Sequence, residues 1–382
     1  MFQPSDLLDL GGRSHFYRPI VELYFWIGVR VFDGSPVVLH IPPIVLHALN
    51  GALVYFISEG LGMRRPFAYA AALLFVVQPS YVAAVAWVGA LAECVGTFFG
   101  LGAILLLLRF RCTRERRSFV LAVTSFGLAL LTHESSVVFL PLIALADWTM
   151  GSWSWRWRDL IRTYVAFVVV LAAYLAIDLT INAKHYVITE GGYRIGLHIV
   201  SNAFQYVASL YVGERTLTWH LIVATVLAFI LVRGSARARM GVIWMFVAML
   251  PFLPFDTANV SRYAYLPAVG LALLMAEGAS VLNERLEPRW SKATRVAVIA
   301  VLIAFNAIRF GNFARRGVAD ITARMESYRT FLTTLRQTHP TLENGAVVPI
   351  DARIEKEMPL RFLEAAVQWE YKNPTLRVVL KQ

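Results

Sequence analysis

Ionisable residues interrupt long apolar stretches of this sequence at a few places, and those places can do chemistry. His40 and His47 stand seven residues apart, a spacing that puts both on one helix face. Glu93 opens one apolar run, His133 and Glu134 sit between two others, and Asp256 and Arg262 flank a turn between two more. An ionised side chain in a bilayer costs ~3 kcal/mol on insertion scales, so such residues face protein or a water-filled cavity. A pocket of carboxylates, a guanidinium and tyrosines suits a lipid-phosphate substrate. Arginine grips phosphate through a planar fork, and a carboxylate accepts a hydroxyl proton. Structural roles compete with this: His47 as a packing histidine, Arg262 as an interfacial anchor, Glu134 as a helix cap and Glu93 as a headgroup-level charge. The sequence has no Walker-type loop, no GxGxxG and no CxxC. The His40–His47 spacing is not a metal motif by itself. No cofactor and no metal site are predicted, and dependence on a free divalent metal is left open.

Apolar elements must position these residues. Hydrophobic residues are 58% of the 382 and charged residues 16%, too little polar surface for a soluble domain of that length. Mean hydropathy is +0.58. A membrane helix needs roughly 20 mostly apolar residues and satisfies its own backbone hydrogen bonds, so a helical bundle follows. The runs are Val37–Ile57, Pro66–Val77, Val88–Leu108, Phe119–Leu131, Val137–Trp148, Tyr164–Leu179, Trp219–Val232, Val242–Phe255, Tyr263–Val281 and Ala297–Arg309. They predict an all-α polytopic bundle of about ten spans. Pro19–Phe32, with Glu22 and Arg30 inside it, reads as a short span or an interfacial helix.

The net charge of +11 does not indicate nucleic acid, because the charges cluster in short loops between apolar runs. Those clusters hold Arg64 and Arg65; Arg109 to Arg117; Arg156, Arg158 and Arg162; Arg233, Arg237 and Arg239; and Arg285 to Arg295. With ten spans they all fall on one side, which the positive-inside rule makes cytoplasmic. The candidate site residues and the C-terminal tail then lie on the outer, periplasmic side of a cytoplasmic (inner) membrane. Trp153, Trp155 and Trp157 read as an interfacial aromatic belt. Cys94 and Cys112 are not expected to pair.

Residues 1–311 are read as the membrane domain and 312–382 as a small α/β appendage. In the tail, a helix is expected over Ala319–Thr338, a strand over Ala346–Val348 ended by Pro349, a helix over Pro359–Tyr371 and a strand over Thr375–Leu380.

Several motifs resemble those of polytopic GT-C glycosyltransferases, in particular the transmembrane-and-tetratricopeptide O-mannosyltransferases and their bacterial relatives. Tyr17-Arg18-Pro19-Ile20, Ser35-Pro36, His40 and Leu46-His47 resemble "YRPL … NP … FH … LLH". Gln78-Pro79-Ser80-Tyr81 through Ala86-Trp87 resembles "HPxHxEAVAW", and Thr132-His133-Glu134 resembles an "SKE" turn. Ser261-Arg262-Tyr263-Ala264-Tyr265-Leu266-Pro267 resembles "ERYLYLP". Order and spacing agree over roughly Tyr17 to Gly270.

The resemblance implies an enzyme of GT-C fold that moves a sugar from a polyprenyl-phosphate carrier to an acceptor on the outer face, without a nucleotide cofactor. It implies a catalytic acid in the first outward loop, where Asp6 and Asp9 stand, and Arg262 near the carrier phosphate. Asp6, Asp9 and Glu134 are the catalytic candidates. Arg18, His40, His47, Glu93, His133, Asp256, Arg262, Tyr263 and Tyr265 are the substrate-binding candidates. The expected partners are the polyprenyl-phosphate-linked sugar, the bilayer, and a protein, lipid or glycan acceptor.

Departures from the pattern are specific. Gln78, Tyr81 and Ala83 replace two histidines and a glutamate; His133 replaces a lysine and Ser261 an acid. The family's first span and its acidic pair are not in this sequence, so an in-frame apolar segment is expected upstream of Met1. The alternative is a non-catalytic relative that binds glycan or assists envelope assembly. A transporter fits less well: it would place acids at mid-membrane within pseudo-symmetric repeats.

Overall fold

The computed structural model describes residues 17–151, 157–182, 192–211, 216–256, 260–350 and 360–380. Asp6 and Asp9, and with them Trp153 and Trp155, lie outside the described residues. The chain is mostly helical and forms two compact units, one built on Ser5–Ala314 and one on Arg315–Gln382.

The larger unit runs α1 (Pro19–Phe32), α2 (Pro36–Gly60), α3 (Arg65–Val76), α4 (Val82–Ala86), α5 (Leu91–Thr113), α6 (Arg116–Leu130), α7 (Phe139–Thr149) and α8 (Trp157–Asn182). It continues with α9 (His198–Leu210), α10 (Leu217–Arg233), α11 (Ala236–Met249), α12 (Val260–Tyr263), α13 (Tyr265–Leu286) and, as far as Ala314, α14 (Lys292–Thr338), whose remainder belongs to the smaller unit. Short connections make successive long helices antiparallel. α2 packs on α3 and α5, α5 on α6, and α13 on α3 and α11. The basic clusters therefore gather at one end of the bundle, and the starts of α5 and α13 mark the other.

Among the described residues, six helical segments are long and apolar enough to cross a membrane: Pro36–Gly60, Arg65–Ala86, Val88–Thr113, Trp157–Thr180, Tyr265–Leu286 and Lys292–Thr338. The ten-span expectation is not confirmed. Four expected spans fall on α6, α7, α10 and α11, helices of 15, 11, 17 and 14 residues. At 1.5 Å rise per residue these measure about 17–26 Å against a hydrocarbon core of about 30 Å. A 3₁₀ turn at Glu134–Val138 precedes α7, and another at Leu250–Phe252 follows α11.

Proline and glycine set the close contacts. Pro43 has no N–H for the Leu39 carbonyl one turn back, and the Tyr24 hydroxyl donates to that carbonyl at 2.5 Å, tying α1 to α2. Gly241 and Gly270 bring α11 and α13 together. A Cβ at Gly241 would stand 2.8 Å from the Gly270 carbonyl oxygen, and one at Gly270 2.6 Å from that of Gly241. Small residues permit this approach between membrane helices.

Two buried ion pairs close the basic end. Arg111 donates to both oxygens of Asp147 at 2.8 and 2.5 Å, and the Tyr164 hydroxyl adds a third donor at 2.7 Å. Glu277 accepts from Arg237 at 2.7 Å and from the Ser235 hydroxyl at 2.7 Å. Asp147 and Glu277 are 0% and 1% exposed, so both charges depend on these partners.

In the smaller unit β1 (Val347–Ile350) and β2 (Arg377–Leu380) pair in parallel, Val347 opposite Arg377. Between them in sequence lies α15 (Leu360–Glu370). Val348, Ile350, Leu363, Val367, Leu376 and Val378 form its core with Tyr328 of α14. Pro349 does not end β1 as expected; the strand runs through it to Ile350. Each strand of a two-stranded sheet has a free edge, where proline costs no ladder bond.

Candidate active site

The end of the bundle opposite the basic clusters carries a partly buried charge network assembled from distant segments. Arg18 precedes the first turn of α1 and reaches Glu134, which opens the 3₁₀ turn Glu134–Val138. Its Nε donates to Oε2 at 2.7 Å and its Nη2 to Oε1 at 2.5 Å, a two-pronged guanidinium–carboxylate pair. The Ile20 amide also donates to the Leu131 carbonyl, fixing α1 against the end of α6.

His133 caps that 3₁₀ turn. Its Nδ1 accepts from the Ser135 amide at 3.1 Å, so the ring proton belongs on Nε2. Nε2 lies 3.1 Å from Glu93 Oε1, off the line of a good hydrogen bond. Arg262 Nε donates to the same Glu93 oxygen at 3.3 Å. The order is Arg18, Glu134, His133, Glu93, Arg262, with Glu93 6% and His133 3% exposed in their side chains. Two guanidiniums balance two carboxylates. Burial pushes the Glu134 carboxyl up, but the charge and the two hydrogen bonds of Arg18 outweigh it, holding Glu134 well below the usual carboxylate range.

Aromatic rings hold Arg262. Its guanidinium lies 5.5 Å from the Trp87 ring centre and 5.1 Å from that of Tyr263. Tyr263 stacks between Phe252 and Phe255, at 4.2 and 5.7 Å between centroids. Asn202 of α9 donates to the Leu253 and Phe255 carbonyls at 2.9 and 2.8 Å, fixing the turn before Arg262. Trp87 is 44% exposed and forms the open rim.

The structure thus joins five of the expected residues, Arg18, Glu93, His133, Glu134 and Arg262, with Tyr263 stacked alongside. Others lie elsewhere. His47 and Tyr265 form a separate polar cluster: the Tyr265 hydroxyl is 2.9 Å from His47 Nδ1 and accepts from Asn50 at 3.0 Å, among Phe75 and Tyr81. Its hydrogen bonds close within the bundle, including His47 Nε2 to the Val76 carbonyl at 3.0 Å. His40 is exposed and bonds the Pro36 carbonyl of its own helix. Asp256 sits in an exposed pair with Arg194 at 3.0 Å. Among the described residues, no three His, Cys, Asp or Glu side chains converge as a metal ligand set.

Two features were not among the expected site residues. Trp87 closes a quoted motif but carried no role. Tyr174 and Asp178, four apart on α8, form a hydrogen-bonded pair at 2.8 Å that interacts electrostatically with Arg18 and Glu134. Their i,i+4 spacing inside an apolar run was the available signal.

Comparison with known proteins agrees with the motifs. Residues 17–179 match the family described as dolichyl-phosphate-mannose-protein mannosyltransferase. Over 326 residues the chain is 24% identical to protein O-mannosyl-transferase F38B6.6 of Caenorhabditis elegans, covering 75% of this chain and 45% of that protein. It is 29% identical over 146 residues to protein O-mannosyl-transferase Tmtc1 of Drosophila melanogaster, covering 38% of this chain and 17% of that one. The chain spans less than half the length of these curated relatives. It is a multi-pass membrane protein that is O-mannosyltransferase-like over the matched residues.

Proposed function

We propose that this protein is a glycosyltransferase that moves a sugar, a hexose such as mannose, from a polyprenyl-phosphate carrier to an acceptor hydroxyl at the outer face of a cytoplasmic membrane. The observation that carries this reading is the five-residue network from Arg18 to Arg262, buried at the end of the bundle away from the arginine clusters. Arg262 exchanges Glu93 for the carrier phosphate and stabilises the charge left on it as the sugar departs. Arg18 supplies a second positive charge, and Glu134 holds it in place. Family similarity over residues 17–179 supports the chemistry.

An apolar cleft supports a lipid-borne donor. It has a volume of ≈ 390 Å³ between α9, α10 and α11 and is lined by Ala203, Phe204, Val207, Leu227, Leu231 and Phe246. α9 packs against α12, which carries Arg262. An isoprenoid chain lying there would bring its phosphate toward the guanidinium.

The test is transfer of radiolabelled mannose from polyprenyl-phosphate mannose by the full chain in lipid nanodiscs. Arg262→Ala should lower kcat by about 100-fold or more, the scale for removing one charge-stabilising donor. Wild-type rates in Arg262→Ala would refute the assignment. A second reading, a relative that binds the lipid-linked sugar without transferring it, is favoured by one observation: Glu93 and Glu134 are both held by guanidiniums. Carrier binding with no turnover would decide for it.

A further inference from the structure

His133 carries a buried donor that the network leaves unused. Its Nδ1 accepts from the Ser135 amide at 3.1 Å and lies 2.7 Å from the Ser135 hydroxyl, so the ring proton stands on Nε2. That N–H makes no hydrogen bond among the described residues, although Glu93 Oε1 is only 3.1 Å away. The same oxygen takes the Arg262 Nε–H at 3.3 Å. A buried donor without an acceptor is costly, and any small turn that brings the carboxylate into line removes the cost. Glu93 is placed to make that turn. It stands in the first turn of α5, where the positive end of the helix favours a carboxylate. A void of ≈ 10 Å³ borders Glu93, Gly96, His133, Ser136 and Phe252. Gly96 keeps α5 close to the His133 turn: a Cβ there would stand 3.2 Å from Ser136 Oγ and 3.6 Å from His133 Cβ. Nothing else competes for the Nε2 proton. Glu134 lies 3.6 Å from the other ring nitrogen and gives both its oxygens to Arg18.

We propose that His133 is the positioning residue that takes over Glu93 when the carrier phosphate takes Arg262; this rests on the reading of Arg262 as the phosphate ligand. In the free protein Glu93 holds the guanidinium in place. As the phosphate arrives, Arg262 gives up its long bond to Glu93, and the carboxylate turns onto the Nε2–H. The imidazole is already fixed by Ser135 and need not move, and no proton changes hands. Glu93 is thus never left buried without a partner, the state that makes breaking an ion pair expensive. The trigger is the phosphate rather than the sugar, so polyprenyl phosphate without a sugar suffices to bring the exchange about.

The test uses the full chain in nanodiscs and measures binding of polyprenyl phosphate and transfer from polyprenyl-phosphate mannose separately. His133→Asn keeps an acceptor for the Ser135 amide, since asparagine caps helical turns well, but has no donor where Nε2 stood. It should raise the Kd for polyprenyl phosphate by about 10- to 100-fold, the worth of one hydrogen bond to a charged group. At saturating donor kcat should stay within about threefold of wild type, the split expected when binding alone is lost. In a Glu93→Gln background no charge needs a recipient, and the same substitution should change the Kd less than about twofold. Wild-type affinity in His133→Asn overturns the proposal. So does an equal loss in the Glu93→Gln background, which would mark a purely structural role. If His133→Asn does not fold, proton resonance of ¹⁵N-histidine decides: the His133 Nε2 proton should move downfield on addition of polyprenyl phosphate in wild type and not in Glu93→Gln, and no movement in wild type overturns the proposal. Transfer at a normal rate without coupling between Glu93 and His133 overturns this proposal alone. Binding of polyprenyl phosphate with that coupling but no transfer overturns the transfer reading and supports this one. A wild type that does not bind polyprenyl phosphate overturns both.

Discussion

The same chemistry, a carboxylate buried against an arginine, appears at both ends of this bundle and is wired in two ways. At the basic end each acid is saturated by its own partners: Asp147 by Arg111 and Tyr164, Glu277 by Arg237 and Ser235. These contacts join regular helices at their ends. At the other end the acids are chained through His133, and Arg262 shares one oxygen of Glu93 with it. The supporting elements there are 3₁₀ turns, stacked rings and the first turn of α5. Glu93 and Arg111 stand on the same helix, 18 residues and so about 27 Å apart. A saturated pair has nothing to exchange and acts as a staple. A shared, longer pair beside an exposed indole can trade a carboxylate for a phosphate.

That contrast breaks most visibly at Asp147. Replacing it with Ala strands Arg111, whose side chain is 10% exposed, without its counter-charge. Loss of one partner of a buried pair costs about 3–5 kcal/mol. Asp147→Ala should therefore give a large fall in thermal midpoint in nanodiscs, while transfer per folded molecule stays within about twofold of wild type. A selective loss of transfer by the folded fraction would mean the basic end is not merely structural.

Glu134 sharpens the comparison through pH. Its folded-state proton affinity is depressed below the unfolded value of about 4.3. The sign follows from linkage: the stabilisation is complete above the unfolded value and is lost as pH falls toward the folded one. Glu134→Gln should be less stable than wild type by about 1–3 kcal/mol at pH 7, the scale of a charged hydrogen bond. The gap should narrow progressively below about pH 4. A gap that does not change between pH 7 and pH 3 would show that Arg18 does not hold Glu134 ionised.

How much of this could be read beforehand differs by element. The bundle follows from apolar runs, and the segregation of arginine to alternate loops predicts which helix ends gather together. Arg18, Glu93, Glu134 and Arg262 are legible because an ionisable residue at the edge of an apolar run must find company. Which company is a tertiary matter. His47 and Tyr265 look no different from His133 and Tyr263 in sequence, yet one pair closes on Asn50 and the other faces the charge network. The ten-span expectation is not confirmed because α6, α7, α10 and α11 are apolar but short, and the 3₁₀ turns that precede α7 and follow α11 are geometry that no hydropathy pattern encodes. Asp178 falls inside the run Tyr164–Leu179, and hydropathy alone does not set it apart. The phenol one turn before it was the sign that it is buried.

The smallest effect is expected at Asp256, and it tests the same distinction at the surface. Sequence position places Asp256 beside Arg262 and suggests a role in binding. The structure gives its carboxylate to Arg194, with side chains 44% and 69% exposed. An exposed pair contributes about 0–1 kcal/mol and is screened by salt. The local fold does not rest on that side chain, because the Asp256 amide donates to the Gly192 carbonyl and the Arg194 amide to the Pro254 carbonyl. Asp256→Ala keeps both backbone bonds. It should shift stability by less than about 0.5 kcal/mol and leave donor KM and kcat near wild type. A fall in kcat comparable to that of Arg262→Ala would place Asp256 in contact with substrate and extend the site beyond the buried network. A neutral result confines the chemistry to residues that the fold removes from water, where a charge without a partner is costly enough to be useful.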